Sequence, residues 1–183
     1  MASSFTTKTS INGHFLRLSG TSEGGISISS KYSNGDLTVT LNSKKPLTAD
    51  VTGDLDATIF GSKSDDNFNF SGATGDYVVN TREGNDRVID GIGNNTFDGG
   101  AGSDTFVFNQ VEGPNAANGV DAGDEIDTIK NYDVANDDID IGVQTYILSQ
   151  DNANQVTITL EDGDRIVVQA PSLTISQIQA ELV

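Results

Sequence analysis

Acidic residues and glycines recur at fixed intervals in the middle of the sequence. Asp86 and Asp104 are 18 residues apart, and Gly84, Gly93 and Gly102 follow one another at intervals of nine. Aspartate carboxylates and backbone carbonyls are the oxygen ligands that calcium prefers in proteins. The spacing therefore predicts a calcium site that is built from turns of the chain lying one above another.

Residues 81–107 consist of three consecutive nine-residue units, TREGNDRVI, DGIGNNTFD and GGAGSDTFV. Each unit has glycine at its fourth position, Asp or Asn at its sixth, and an apolar residue at its eighth, namely Val88, Phe97 and Phe106. Glycine permits the positive φ of a tight turn, and the eighth residue suits a narrow core between stacked coils. The third unit matches the calcium-binding nonapeptide G-G-x-G-x-D-x-U-x at every fixed place. We expect each unit to form one turn and one short strand of a solenoid.

Alternate units of such a solenoid are expected to place their aspartates on one edge. In a two-sided roll successive units lie on opposite faces, so Asp86 and Asp104, 18 residues apart, share an edge. Asp66 of a degenerate earlier unit joins them when a two-residue insertion at 70–71 is allowed for. We predict about two calcium ions on this edge, between the Asp66 and Asp86 turns and between the Asp86 and Asp104 turns. The other edge has Tyr and Asn at the sixth position and is predicted to be empty or weak.

This stretch resembles the RTX (hemolysin-type) calcium-binding repeat family. The resemblance implies an all-β fold, a right-handed parallel β-roll with calcium between the turns of alternate coils. It also implies that the ligands are the aspartate at position six and the carbonyls at positions two and four. In this sequence those residues are Arg82, Gly84, Asp86, Gly100, Gly102 and Asp104, with Ser62, Ser64 and Asp66 as counterparts in the degenerate unit.

The segment before the roll, residues 1–50, is predicted to be a small antiparallel β segment. Alternating residues flank a hairpin signal, SNGD, at 33–36. Residues 1–49 have a net charge of +3, whereas residues 50–183 have a net charge of −20. The segment is therefore a candidate attachment module, and its candidate docking residues are Lys8, Arg17, Lys44 and Lys45.

Residues 51–107 are assigned to the roll, and residues 108–183 to a C-terminal cap. The cap begins with a loop and continues with a segment that resembles the closing segment of secreted RTX metalloproteases and of alginate epimerase repeat modules. Asp124 or Asp127 is expected either to add a carboxylate to a terminal metal site or to belong to a solvated run of charge. A hairpin around 161–164 and a short helix in the tail, residues 172–183, complete the prediction.

Composition limits the classes of partner. The formal net charge is −17, and 21 of the 27 acidic residues are Asp, which favours turns and calcium sites, although a salt-adapted acidic surface is an alternative. Nucleic acid is not expected as a partner of so acidic a chain, and no apolar run predicts membrane insertion. The N-terminus lacks the apolar core of a signal peptide. The end of the tail resembles the C-terminal signal of type I export substrates, so we expect an extracellular protein or one on the surface of a particle such as a virion.

Catalysis is not expected. The chain has one histidine and no cysteine, so it lacks the H-E-x-x-H zinc motif and any thiol nucleophile. Three functions remain open: a calcium-stabilised structural or binding module of an exported surface or matrix protein, an accessory or decoration subunit of a larger particle such as a phage capsid or S-layer, and a carbohydrate (polyuronate)-binding module. The expected partners are calcium together with either another protein surface or an extracellular glycan.

Overall fold

A computed structural model describes residues 2–24, 26–33, 35–108, 125–161 and 163–182. These residues form two sheets and one helix. The strands are β1 (Ser3–Ile11), β2 (His14–Ser22), β3 (Ile26–Ser33), β4 (Asp36–Ser43), β5 (Leu47–Gly53), β6 (Ala57–Phe60), β7 (Asp66–Ala73), β8 (Tyr77–Asn80), β9 (Arg87–Ile89), β10 (Thr96–Asp98), β11 (Thr105–Val107), β12 (Ile126–Ile129), β13 (Asp138–Asp140), β14 (Tyr146–Asn152), β15 (Gln155–Leu160) and β16 (Arg165–Gln169). The helix is α1 (Ile175–Glu181).

The strands from β4 to β13 alternate between the two sheets. One sheet has seven strands in the order β1-β2-β5-β7-β9-β11-β13, and the other has nine in the order β14-β15-β16-β12-β10-β8-β6-β4-β3. Within each sheet, neighbours between β4 and β13 pair in parallel. Each coil of the chain thus adds one strand to each sheet. The predicted parallel β-roll is confirmed.

The core lies between the sheets because strand side chains alternate between the two faces. The eighth residues of the three repeat units, Val88, Phe97 and Phe106, are each no more than 2% exposed. Aromatic rings continue the stack, with the Phe70 and Tyr77 centroids 5.1 Å apart. Burying one such side chain stabilises the fold by about 1.5–3 kcal/mol.

One residue of the two-residue insertion in the degenerate unit is accommodated by a β-bulge. The parallel register between β5 and β7 shifts between the Asp50–Asn69 pair and the Thr52–Gly72 pair. Two residues of β7 therefore oppose Val51. From Thr52 onward the paired residues of β5 and β7 are 20 residues apart, the same interval that separates the pairs of β7 and β9.

The N-terminal strands extend both sheets. β1 and β2 form a hairpin that pairs antiparallel with β5, and β3 pairs antiparallel with β4. The predicted antiparallel segment is therefore continuous with the roll. The parallel pairing begins with β4 and β5. β5 extends from Leu47 to Gly53, so it lies on both sides of the predicted start of the roll at residue 51.

The C-terminal segment closes the other end. β14, β15 and β16 form an antiparallel group that joins β12 in parallel through β16. α1 begins with a capping box, in which the Thr174 side chain accepts from the Gln177 N–H and the Gln177 side chain accepts from the Thr174 N–H. Ile178 of α1 is buried in the core. The predicted capping strands, hairpin and short helix are thus present. In the described part of the chain, no helix is long and apolar enough to cross a membrane.

Candidate metal centre

The turns that precede β7, β9 and β11 form one edge of the roll, here called the first edge. The strand register places Asn67 beside Arg87, and Arg87 beside Thr105. The aspartates just before these residues are joined by hydrogen bonds between coils. The Asp66 N–H donates to Asp86 Oδ1 at 2.6 Å, and the Asp86 N–H donates to Asp104 Oδ1 at 2.8 Å. The structure thus brings together the three aspartates that the sequence assigns to one edge.

The glycine-rich turns of the first edge lie in direct backbone contact. The Ala101 N–H donates to the Arg82 carbonyl at 2.7 Å, and the Gly84 N–H donates to the Ala101 carbonyl at 2.9 Å. A Cβ atom at Gly102 would lie 1.8 Å from the Gly84 oxygen, and one at Gly100 would lie 1.9 Å from the Arg82 oxygen. Only glycine permits so close an approach. The carbonyls at positions two and four of one turn therefore face the next turn.

Two carboxylate oxygens of the first edge are buried without a donor. Asp86 and Asp104 are each 2% exposed, and the Oδ2 atoms of both have no hydrogen-bond partner among the described residues. Burial raises the pKa of the Asp86 carboxyl to about 7 and also raises the pKa of Asp104. An unsatisfied buried acceptor costs about 1–3 kcal/mol, and more when it is charged. A hard cation coordinated by oxygen atoms would remove this cost, so the residues present fit calcium.

The Asp66 turn differs from the other two. Asp66 Oδ2 accepts from the Ser62 N–H at 2.7 Å, and Oδ1 accepts from the Ser62 hydroxyl at 2.8 Å. The same hydroxyl accepts from the Ser64 N–H at 3.2 Å. Both oxygens of this carboxylate thus have donors within their own turn. The Ser62 backbone N–H donates here to Oδ2, the atom that has no donor in the Asp86 and Asp104 turns.

Asp137 extends the first edge and was not singled out as a site residue from the sequence. Its Oδ1 accepts from the Asp104 N–H at 3.0 Å, and its Oδ2 accepts from the Asp133 N–H at 2.9 Å. Burial raises the pKa of Asp137 to about 6. The interval from Asp104 to Asp137 is 33 residues rather than 18, so the period alone could not find it. The closing pattern DDID at 137–140 was the available signal.

The opposite edge, here called the second edge, contains more buried charge than expected. The Tyr77 N–H donates to Asn95 Oδ1 at 2.9 Å, and the Asn95 N–H donates to Asp127 Oδ1 at 2.8 Å. The Asn95 side chain also donates to Asp90 Oδ1 at 2.9 Å. Asn95 thus joins the buried carboxyl groups of Asp90 and Asp127 by donating to both. Burial, followed by the charge of Asp127, holds the pKa of Asp90 well above its usual range, and burial raises the pKa of Asp127 to about 7.

The remaining predicted residues do not join the first edge. Asp127 lies on the second edge, and Asp124 lies outside the described residues. Of the candidate docking residues, Lys8 and Arg17 are cross-strand neighbours on β1 and β2. Lys44 and Lys45 lie in the turn before β5, and all four are exposed.

In the described ranges, no three His, Cys, Asp or Glu side chains converge as a metal cluster. Each turn of the first edge instead contributes one carboxylate beside several backbone carbonyls. A cation there would take most of its ligands from the backbone, which matches the oxygen-rich coordination of calcium.

The comparison with protein-family models agrees with this geometry. Residues 78–110 match the family model described as the RTX calcium-binding nonapeptide repeat (4 copies). The match covers β8 to β11 and includes Asp86 and Asp104, and it confirms the family resemblance predicted for these repeats. The chain therefore carries an RTX-type calcium-binding repeat segment, of a kind typical of extracellular proteins.

Among solved structures, the fold is similar to the solution structure of the AlgE6R3 subunit from the Azotobacter vinelandii mannuronan C5-epimerase. The two chains are 19% identical, with a TM-score of 0.46, and the similarity covers 71% of this chain and 78% of that one. No curated protein matches the chain.

Proposed function

We propose that this chain is a non-catalytic calcium-binding β-roll that serves as a structural or binding module of an exported surface or extracellular assembly. The observation that carries the proposal is the pair of buried, unpartnered Oδ2 atoms of Asp86 and Asp104 within the matched repeats. A bound cation supplies positive charge and vacant coordination positions beside these oxygens. The chain supplies the carboxylates and the glycine turns that hold neighbouring coils in register.

The proposed first-edge ions number about two. One is assigned to the Asp86 carboxylate and one to the Asp104 carboxylate, with carbonyls of Arg82, Gly84, Gly100 and Gly102 as additional ligands. The Ser62 and Ser64 turn, in which Asp66 is already satisfied, is the weaker candidate. For an extracellular module, dissociation constants of about 10⁻⁴–10⁻³ M are expected.

A calcium titration of the chelated protein tests this function. Calorimetry should show binding of about two ions at that affinity, with a gain of β structure in circular dichroism because binding and folding are coupled. Absence of heat, together with an unchanged melting temperature in chelator, would refute the proposal. Magnesium at the same concentration is the control, since its small radius and strict octahedral geometry suit carbonyl-rich turns poorly.

The absence of catalysis is part of the proposal. His14, the single histidine, lies within hydrogen-bond distance of Asp54, the Nδ1–Oδ2 distance being 3.0 Å, and both residues are exposed. This pair lies in the N-terminal strand region rather than beside the buried carboxylates. The partners proposed besides calcium are another protein surface or an extracellular glycan, and the proposed location is outside the cell or on the surface of a particle.

A carbohydrate-binding role is the second candidate, and one cleft favours it. The cleft, of about 400 Å³, is lined by Lys130, Ala170, Pro171 and five side-chain amides, those of Asn131, Asn152, Asn154, Gln155 and Gln169. Amides can bind sugar hydroxyls, and Lys130 supplies positive charge for an acidic sugar. Retention on an immobilised polyuronate that is lost in Lys130→Ala would support this role. Equal elution of both proteins would remove it.

A further inference from the structure

The two ends of the roll are stepped in opposite senses. At the N-terminal end, the seven-stranded sheet continues past β5 for two strands, whereas the nine-stranded sheet continues past β4 for one. At the C-terminal end, the nine-stranded sheet continues past β12 for three strands, whereas the seven-stranded sheet ends at β13 among the described residues. The seven-stranded sheet therefore projects at the N-terminal end, and the nine-stranded sheet projects at the C-terminal end.

α1 fills part of the step at the C-terminal end. Its start lies beside β14, where the Ile175 N–H donates to Gln150 Oε1 at 3.2 Å, and Leu182 just after it bridges to Ile139 of β13. A helix is about 10 Å across, which equals roughly two strand spacings of about 4.8 Å. Seven strands and the helix thus have about the same height as nine strands. In the part of the chain that the structure describes, what remains is a one-strand projection, β1, at the N-terminal end and a recess of similar height beyond α1.

Apolar surface is left uncovered at both ends of the roll. The inward positions of β1, including Phe5 and Ile11, are only half-buried, whereas Leu16 and Leu18 of the adjoining β2 are 1% exposed. At the other end, Ile147 of β14 is 73% exposed. Natural proteins usually cover, charge or bend such strand edges. In the described residues, β3 and β14 each have a neighbouring strand on one side only.

The two ends carry opposite charge. Residues 1–49 have a net charge of +3, and residues 141–183 contain five acidic residues and one basic residue, a net charge of −4.

The strand directions at the two ends also permit pairing between them. β3 runs antiparallel to β4, while β14 runs in the same direction as the parallel strands of its sheet. If the sheet were continued from one copy to the next, β14 would meet β3 as an antiparallel pair.

We propose that the chain binds a second copy of itself end to end, with β14 of one copy pairing antiparallel with β3 of the next. In this arrangement the projecting β1 of one copy enters the recess beyond α1 of the other. The contact buries the half-exposed face of β1 and brings the basic end against the acidic end. Because the interface is heterologous, each copy keeps a free β3 or β14, and assembly continues as a filament. This inference goes beyond calcium binding and is tested in excess calcium, so that either proposal can fail alone.

The test is sedimentation velocity of the calcium-loaded protein at about 1–100 μM, a range that covers micromolar association. The average mass should rise with concentration, and the association should weaken in about 1 M salt, where charges are screened beyond about 3 Å. Lys31→Glu on exposed β3 and Ile147→Lys on β14 should each raise the dissociation constant about tenfold, since each places like charges across the contact. Val78→Lys, which makes the same charge change as Ile147→Lys at an exposed apolar residue of β8 in the middle of the same sheet, should leave it unchanged. Circular dichroism and a calcium titration of each variant confirm that folding and ion binding are retained.

A mixing experiment identifies the geometry. The Lys31→Glu protein keeps a normal β14, and the Ile147→Lys protein keeps a normal β3. An equimolar mixture should therefore associate with wild-type affinity through the unaltered β14 of one variant and the unaltered β3 of the other, although each variant alone associates about tenfold more weakly. A wild-type protein that is monomeric at every concentration in low salt would overturn the proposal. So would variants that associate like the wild type, or a mixture that shows no pairing.

Discussion

Replacing Asp104 by asparagine should have opposite effects with and without calcium. The Asp104→Asn side chain can still accept the Asp86 N–H through its oxygen, as Asn95 accepts the Tyr77 N–H on the second edge. The substitution replaces the buried Oδ2 atom that lacks a donor by an amide nitrogen, which can donate to the Gly102 carbonyl as the Asn95 amide donates to the Gly93 carbonyl. It also removes the negative charge that a cation would neutralise. The same change therefore relieves a cost in the calcium-free protein and removes a ligand in the calcium-bound protein.

The magnitudes follow from these two terms. Without calcium, removal of an unsatisfied buried acceptor should stabilise the variant by about 1–3 kcal/mol relative to the wild type. With calcium at 100 times the dissociation constant, loss of one ion should cost about 2.7 kcal/mol of the stabilisation that binding provides. For a chain of this size, 1 kcal/mol shifts the melting temperature by about 2–4 °C. The variant should therefore melt higher than the wild type in chelator and gain about 5–11 °C less when calcium is added.

The assay is thermal unfolding of both proteins in chelator and in saturating calcium. Asp138→Asn is the matched control, because it makes the same charge change at an exposed residue beside the same edge. The control should behave like the wild type in both conditions. If Asp104→Asn keeps the full calcium-induced rise in melting temperature, or if it is less stable than the wild type in chelator, the assignment of the unpartnered oxygen to a metal site is wrong.

Three further predictions concern the two edges and their turns. In chelator, stability should fall as the pH rises from about 4 to about 7, because burial raises the pKa of groups such as Asp127 to about 7 and the folded state binds their protons more tightly. A melting temperature that stays constant or rises across this pH range would contradict this prediction. Gly102→Ala should be destabilising by more than about 2 kcal/mol, since its Cβ would meet backbone at 1.8 Å, whereas Gly13→Ala, with open space around it, should cost about 1 kcal/mol in denaturant unfolding. Asp137→Ala should cost about 2–4 kcal/mol because two backbone N–H groups lose their acceptor, and a loss no larger than that of Asp138→Ala would show that the closing turn does not depend on it.

The repeat period made most of the roll predictable. Coils can stack only if position eight is apolar and position four is glycine. The residues within each unit therefore predict the strands β9, β10 and β11 and the buried side chains of Val88, Phe97 and Phe106. The 18-residue interval placed Asp86 and Asp104 in neighbouring turns, because each coil uses two units. The hairpin turns and the C-terminal helix were predictable for the same reason, since their signals lie within a few residues of one another.

Contacts that cross irregular insertions were not predictable. Asp137 reaches Asp104 only because β13 pairs with β11, and the chain between these strands does not keep the nine-residue period. Asp90 and Asp127 likewise meet on the second edge only through the pairing of β10 with β12. The sequence predicts that the second edge binds calcium weakly or not at all, because Tyr77 and Asn95 occupy the sixth position there. The buried carboxyl pair comes instead from position one of a unit and from a strand of the cap.

The sequence by itself therefore determined the repeat, the turn chemistry and the calcium-type ligand set, since these depend on residues nine or 18 positions apart. The tertiary structure alone decided which carboxylates have donors and which remain unsatisfied. Asp66, Asp86 and Asp104 have the same position in their units, yet Ser62 satisfies the first while the Oδ2 atoms of the other two are buried without a partner. The Ser62 donors belong to the turn of Asp66 itself, whereas the burial of Asp86 and Asp104 comes from coils that packing brings close and that are distant along the chain, so only the tertiary structure shows the two unsatisfied oxygens.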